Sequence, residues 1–252
     1  MDFAFLADTM GQLLAVTPVT LELWILSISI GGVLACFVTW ARVSRVPGLE
    51  QVAAAYIFVF RGSPLLIQTF LLYYGLSQFV EVRQSFAWPV LRDPFNSAVI
   101  SLALCTAGYT AEIFRGGLQA VPGREIEAGR AIGMPRFTLF RRIIAPIALR
   151  QALPAYSTEI VLMMKSTALA SLVTVWEVTG VAQRIISHTY RTFEVFICAA
   201  AIYLVLNFVI IRLLGLLEHR ISPHLRARPR SSVPGAPPEH AAGPIQLPEV
   251  PR

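Results

Sequence analysis

Two ionisable side chains, Glu159 and Lys165, sit inside an apolar block at residues 152–175. An ionisable group near a bilayer centre costs at least about 2.5–3.5 kcal/mol and usually faces a bundle interior or a wet cavity. Six residues apart on a helix, the two point about 240° apart, so they form no direct pair. Each needs a partner on another helix, in water or on a ligand. Glu159, Met163 and Ser166 do share a face, at i, i+4 and i+7, which puts a carboxylate, a thioether and a hydroxyl on one stripe. A carboxylate there suits a cationic ligand, because a charge-assisted hydrogen bond is about twice as strong as a neutral one. The competing role for Glu159 is a pair with an arginine of a neighbouring helix, or hydration near a membrane surface. Lys165 fits a structural or gating partner. Arg61 and Glu112, near the ends of two other blocks, fit interfacial anchors or a lock across the bundle.

Enzymatic chemistry finds little support. The four histidines, His188, His219, His224 and His240, show no HExxH or paired metal-ligand spacing. There is no Gly-x-Ser-x-Gly elbow. A GxxxxGK[ST] phosphate loop is also missing, so this chain does not hydrolyse ATP by that route. Cys36, Cys105 and Cys198 all fall in apolar blocks, as small buried residues do, rather than in a disulfide or metal pattern.

The elements that must position these groups are read from composition. The 252 residues are 55% hydrophobic and 14% charged, with mean hydropathy +0.62. Soluble domains carry about 25% charged residues, so lipid is the expected solvent. Residues 23–41, 62–80, 94–111 and 195–211 are free of charge, and a helix needs about 20 mostly apolar residues to cross the hydrocarbon. With the block at 152–175 the count is five spans in an all-α integral membrane fold, since lipid forces backbone bonding within the segment. Asp2, Asp8 and Glu22, with no Lys or Arg, precede the first block, unlike a cleaved signal.

Net charge is +6, and its placement orients the chain. Arg42 and Arg45 follow the first span, seven arginines fall in the 115–150 loop, and Arg220, Arg226, Arg228 and Arg230 follow the fifth. The other side holds Arg83, Arg92, Arg184 and Arg191. The positive-inside rule then places the N-terminus outside and the C-terminus in the cytoplasm. Residues 49–60 read as a helix at the cytoplasmic interface, with Pro64 in the first turn of the next helix. Residues 1–220 form the membrane domain, and the Pro-, Gly- and Arg-rich tail at 221–252 is expected to be disordered.

The loop at 115–150 is too long for a simple turn. Pro122 can open a short helix, Glu125 and Glu127 suit its first turn, and Gly133 followed by Pro135 ends it. Ala128, Gly129 and Ala131 allow another surface to approach closely. Phe137, Phe140, Ile143, Ile144 and Ile147 then give an amphipathic segment suited to the membrane surface. Spacing alone leaves two readings equal: a helix that docks into a partner's groove, or a solvated basic connection.

Glu127-Ala128-Gly129, then Gly133, then Ile144-Ala145-Pro146 resemble the "EAA…G…I-x-L-P" loop of ABC importer permeases. The runs at 60–64 (Phe-Arg-Gly-Ser-Pro), 109–117, 153–159 and 165–169 are similar to signatures of the polar amino-acid branch, nearest its histidine, lysine/arginine/ornithine and opine permeases. The resemblance covers about residues 15–220. It implies a MetI-like permease with about five spans in the bacterial inner membrane, and a coupling helix carrying Glu127, Ala128, Gly129, Ala131 and Gly133. It also implies no cofactor on this chain, with ATP and Mg used by two ATP-hydrolysing partner subunits. A second permease subunit (copy or homologue), a periplasmic solute-binding protein and an amino-acid substrate complete the expected set. An acidic residue at the position of Glu159 is implicated in substrate binding by basic amino-acid permeases, with Met163 and Ser166 beside it. Family members often have Gly at Arg124, Ala at Gly129 and Leu at Ala145; Gly129 weakens the short helix by up to about 1 kcal/mol relative to Ala. An ion-coupled carrier or channel and, less so, a membrane enzyme are the alternatives; five spans are few for a repeat-built carrier.

Overall fold

The computed structural model describes residues 2–44 and 46–221, so Arg45 and the expected tail beyond Ile221 lie outside it. Among the described residues all regular structure is helical. The first helix, α1 (Phe3–Val43), starts well before the predicted span at 23–41, because Asp2 caps it by accepting from the Ala4 and Phe5 amides. Its 41 residues extend about 60 Å, twice the hydrocarbon thickness, and run through Pro18.

Next come α2 (Leu49–Gly62) and α3 (Leu65–Phe70); α3 continues as one wider and one tighter turn to Gln78. The two helices meet at 106°. Ser63 is extended, as the residue before a proline must be, and Pro64 caps α3 instead of entering its first turn. The Gln68 amide staples this corner, donating to Phe60 O and Ser63 O at 3.0 Å and to Ser63 Oγ at 2.9 Å. Short turns α4 (Val80–Arg83) and α5 (Trp88–Leu91) lead to α6 (Pro94–Gln119).

The bundle is built on α6. Its small buried residues, among them Ala98, Ser101, Ala103, Ala107 and Ala111, let neighbouring backbones approach. Gly117 makes the point: a Cβ there would sit 2.6 Å from Ala148 O and 2.9 Å from Ala152 Cβ. Beyond α6 come α7 (Gly123–Ala131), α8 (Arg136–Leu139), a wider turn (Phe140–Ile144) and α9 (Ala145–Ser166). The segment from Arg136 is helical straight into α9, so within the 115–150 stretch residues 120–135 link α6 to α8 and carry α7. Its outer arginines lie on helices that outlast the apolar stretch, as Arg115 does in its ion pair with Glu112 within α6.

The block at 152–175 does not run straight. It tightens at Thr167–Val173, reverses at left-handed Thr174 (φ 65°), and restarts as α10 (Val178–Thr189), 48° away. Finally α11 (Thr192–Ile221) closes the bundle. Among the described residues three helices are long and apolar enough to cross a membrane, and up to five spans result if each bent pair counts as one. Leu13 packs with Val178, Val181, Val195 and Ile202 to tie α1 to α10 and α11. Cys105 and Cys198 are buried as expected, but Cys36 is exposed, lining a groove between α1, α6 and α9.

Candidate coupling and substrate sites

Helix α7 projects between α6 and α8. Pro122 caps it in extended conformation and Glu125 lies in its first turn, whereas Glu127 falls mid-helix. Gly133 ends it in the left-handed region (φ 76°), with Met134 N donating to Gly129 O at 3.1 Å. Glu127, Ala128 and Ala131 face outward, and Ile132 beside them is 73% exposed. Gly129 does not join this face. It is buried against the chain's own Leu139 and Ile143, where a Cβ would lie 3.0 Å from Ile143 Cδ1 and overlap Leu139 Cδ1. The outward surface is thus Glu127, Ala128 and Ala131, while Gly129 and Gly133 shape the helix that carries it.

Glu159 is 8% exposed and accepts a hydrogen bond from Thr106 Oγ1 on α6 at 2.8 Å. That hydroxyl, rather than an arginine, is its partner among the described residues. Met163 is buried on the same stripe, and Ser166, the last residue of α9, spends its hydroxyl on Leu162 O. Glu159 therefore faces α6, and both it and Met163 are buried in this conformation. Lys165 is on another face and borders a cavity of about 430 Å³ between α9 and α11 with Thr158 and Glu218.

Arg61 and Glu112 line one cavity of about 440 Å³ with Arg42, Ile57, Phe58 and Tyr109, between the end of α1, α2 and α6. The lock between them is not made. Glu112 accepts from Arg115, three residues on, whose Nε–H is shared between both carboxylate oxygens at 2.9–3.0 Å and whose Nη2 donates at 2.5 Å, and Arg42 pairs with Glu50. The Arg61 guanidinium lies over the Tyr109 ring, 5.3 Å from its centroid.

Residues 27–223 match the family described as "Binding-protein-dependent transport system inner membrane component". The chain belongs to that family. This permease is 54% identical over 225 residues to the octopine transport system permease protein OccM of Rhizobium radiobacter, spanning 89% of this chain and 92% of that one. It is 47% identical over 241 residues to the nopaline transport system permease protein NocM of Agrobacterium fabrum, covering 95% and 100%. The histidine/lysine/arginine/ornithine transport system permease protein HisM of Escherichia coli is 41% identical over 213 residues, covering 83% and 90%. Among solved structures, one described as an amino acid ABC transporter with histidines superposes with TM-score 0.78 at 34% identity, over 87% of this chain and 99% of that chain. The permease is accordingly a membrane-spanning transport component of an ABC importer, not an enzyme.

The permease also holds a buried carboxylate that hydropathy did not single out. Glu177 is fully buried at the start of α10, accepting from Thr179 N (2.9 Å), Gly180 N (2.8 Å) and Tyr203 Oη (2.8 Å). Val178 N is bonded to Thr20 Oγ1 of α1 at 3.2 Å, so three helices meet there. The available signal was an acidic residue just ahead of Val178-Thr179-Gly180, where a helix could restart.

Proposed function

We propose that this permease carries cationic amino acids or opines from periplasm to cytoplasm by alternating access, driven by ATP hydrolysis in a separate subunit. The permease lies in the bacterial inner membrane with its N-terminus periplasmic and α7 cytoplasmic, an orientation supported by the arginine distribution. Two ATPase subunits, which use ATP and Mg, grip α7 and its counterpart on a second permease. A periplasmic binding protein delivers substrate. The supporting observation is the outward face of α7: a carboxylate, two small residues and an exposed Ile132 on a short helix fixed by Gly129 and Gly133 against the bundle. Such a face offers close backbone approach at its small residues and exposed charges, Arg124 and Glu127, to set register.

Glu159 receives the cationic group of the substrate when α6 and α9 part, the Thr106 hydroxyl holding its place in the closed arrangement. ATP and substrate shift the balance between inward and outward states only through contacts that differ between them. The test is ATP-dependent uptake of octopine and arginine by the reconstituted complex. Glu127→Arg is expected to abolish ATPase association and uptake; Glu159→Gln is expected to lower uptake with assembly intact. Wild-type uptake by either variant refutes the role assigned to that residue.

A further inference from the structure

We propose that Arg61, at the corner between α2 and α3, binds the carboxylate of the substrate while Glu159 binds its guanidinium. This inference rests on the reading of Glu159 above and deepens it. The geometry begins at α6. Thr106 holds Glu159 at 2.8 Å, and Tyr109, one turn further along, carries the Arg61 guanidinium on its ring at 5.3 Å. The corner is pressed onto the same turn: a Cβ on Gly108 would lie 3.3 Å from Phe60 Cβ and 3.7 Å from Arg61 Cγ. Tyr109 Oη donates to Arg61 O at 3.4 Å, and the Gln68 staple fixes the backbone. One helical turn is about 5.4 Å. An extended arginine places its carboxylate and guanidinium carbons about 7 Å apart across six bonds. Held by Thr106 and Tyr109 three residues apart on α6, the two charged groups suit the two ends of a single guanidino amino acid.

Charge accounting favours Arg61 as the anion site. The cavity it lines holds two other charged groups, and both are engaged within the chain, Glu112 by Arg115 and Arg42 by Glu50. Among the described residues no carboxylate lies within ion-pair distance of Arg61. Its planar fork is suited to bidentate carboxylate recognition, and the tyrosine ring supports it without using its donors.

The experiment uses the full complex in lipid nanodiscs without the binding protein, so that binding reports the permease alone. Equilibrium binding of octopine is compared with that of agmatine, a guanidine with no carboxylate. Arg61→Gln is expected to weaken octopine about tenfold and leave agmatine unchanged, and Arg61→Lys to weaken octopine about threefold. Unchanged octopine binding overturns the proposal, as does an equal loss of both ligands, which marks a packing role. If Arg61→Gln does not assemble, the same two criteria apply to Arg61→Lys. Glu159→Gln forms the separate arm: it is expected to weaken both ligands. Unchanged binding there removes the Glu159 reading, and with it the clamp, while the octopine-selective loss in Arg61→Gln would keep the anion site.

Discussion

Gly31→Ala adds one methyl where α1 crosses α6, and the structure specifies what that methyl meets. Its Cβ would lie 2.9 Å from Ala103 O and overlap Thr106 Cγ2. Carbon–oxygen contacts between packed helices are about 3.3–3.6 Å, so α1 must retreat by about 0.4–0.7 Å to clear Ala103 O, and Thr106 must rotate as well. Overpacking of this kind costs about 1–3 kcal/mol. Rotation of Thr106 also breaks its bond to Glu159, and hydrogen bonds to charged groups contribute about 1.5–3 kcal/mol. Both effects act through one side chain and do not add in full. A net loss of about 2 kcal/mol corresponds to a fall of about 4–8 °C in Tm for a chain of this size. Gly11, on the same helix, has nothing within 4 Å of its Cβ position, so Gly11→Ala gains up to about 1 kcal/mol of helix propensity. Thermal unfolding of the three proteins in one detergent, followed by far-UV circular dichroism, gives the ranking. A Gly31→Ala protein that melts with or above the parent refutes the assignment of Gly31 to the α1–α6 crossing.

Glu177→Ala leaves the Thr179 and Gly180 amides and the Tyr203 hydroxyl without their acceptor, for a loss of about 3 kcal/mol; Glu177→Gln, which keeps an acceptor, should lose about 1 kcal/mol. The same melting assay, with limited proteolysis of α10, distinguishes the two. Gly133→Ala forces a Cβ into the left-handed region at a cost of about 1–2 kcal/mol, and Gly133→Asn less, read as the protease sensitivity of α7. The Asp2 cap is pH-dependent: the Phe5 amide and Arg191 hold its carboxyl below the ordinary carboxylate range. A lowered folded value means that the cap is present above that range and lost as pH falls through the folded value. Amide exchange at Ala4 and Phe5, corrected for intrinsic rates, should quicken on acidification in the parent and show no such step in Asp2→Asn.

Hydropathy located the apolar blocks, because lipid imposes a long local requirement that a short window of sequence can register. It missed the first half of α1: Phe3–Thr20 is helical through a capping carboxylate and packing on α10 and α11, both contacts remote in sequence or invisible to an average. Within 115–150 the helices run further than the apolar blocks do. Arg115 and Arg136 lie on α6 and α8, where long side chains reach water while the backbone stays helical. Ser63-Pro64 announced a break, and the 106° turn follows from the extended backbone that proline imposes on the residue before it.

The site residues divide along the same line. Spacing put Glu159 and Met163 on one stripe, and the structure keeps them together, yet facing α6 rather than an opening. Helical periodicity fixes the relative direction of two side chains on one helix, but not the direction of that helix's face within the bundle. Gly129 shows the limit most sharply. In sequence it is one of three small residues available to a partner; in space only Ala128 and Ala131 are, because the turn at 140–144 brings Ile143 under the helix. Its lack of a Cβ therefore serves internal packing, which explains how glycine can stand where alanine is the better helix former. Alanine there must displace the Leu139 and Ile143 side-chain tips, a movement that offsets the propensity it gains. The consequence concerns function: a change at Gly129 would reach a docked partner through the tilt of α7, whereas a change at Ala128 or Ala131 would reach it by direct contact.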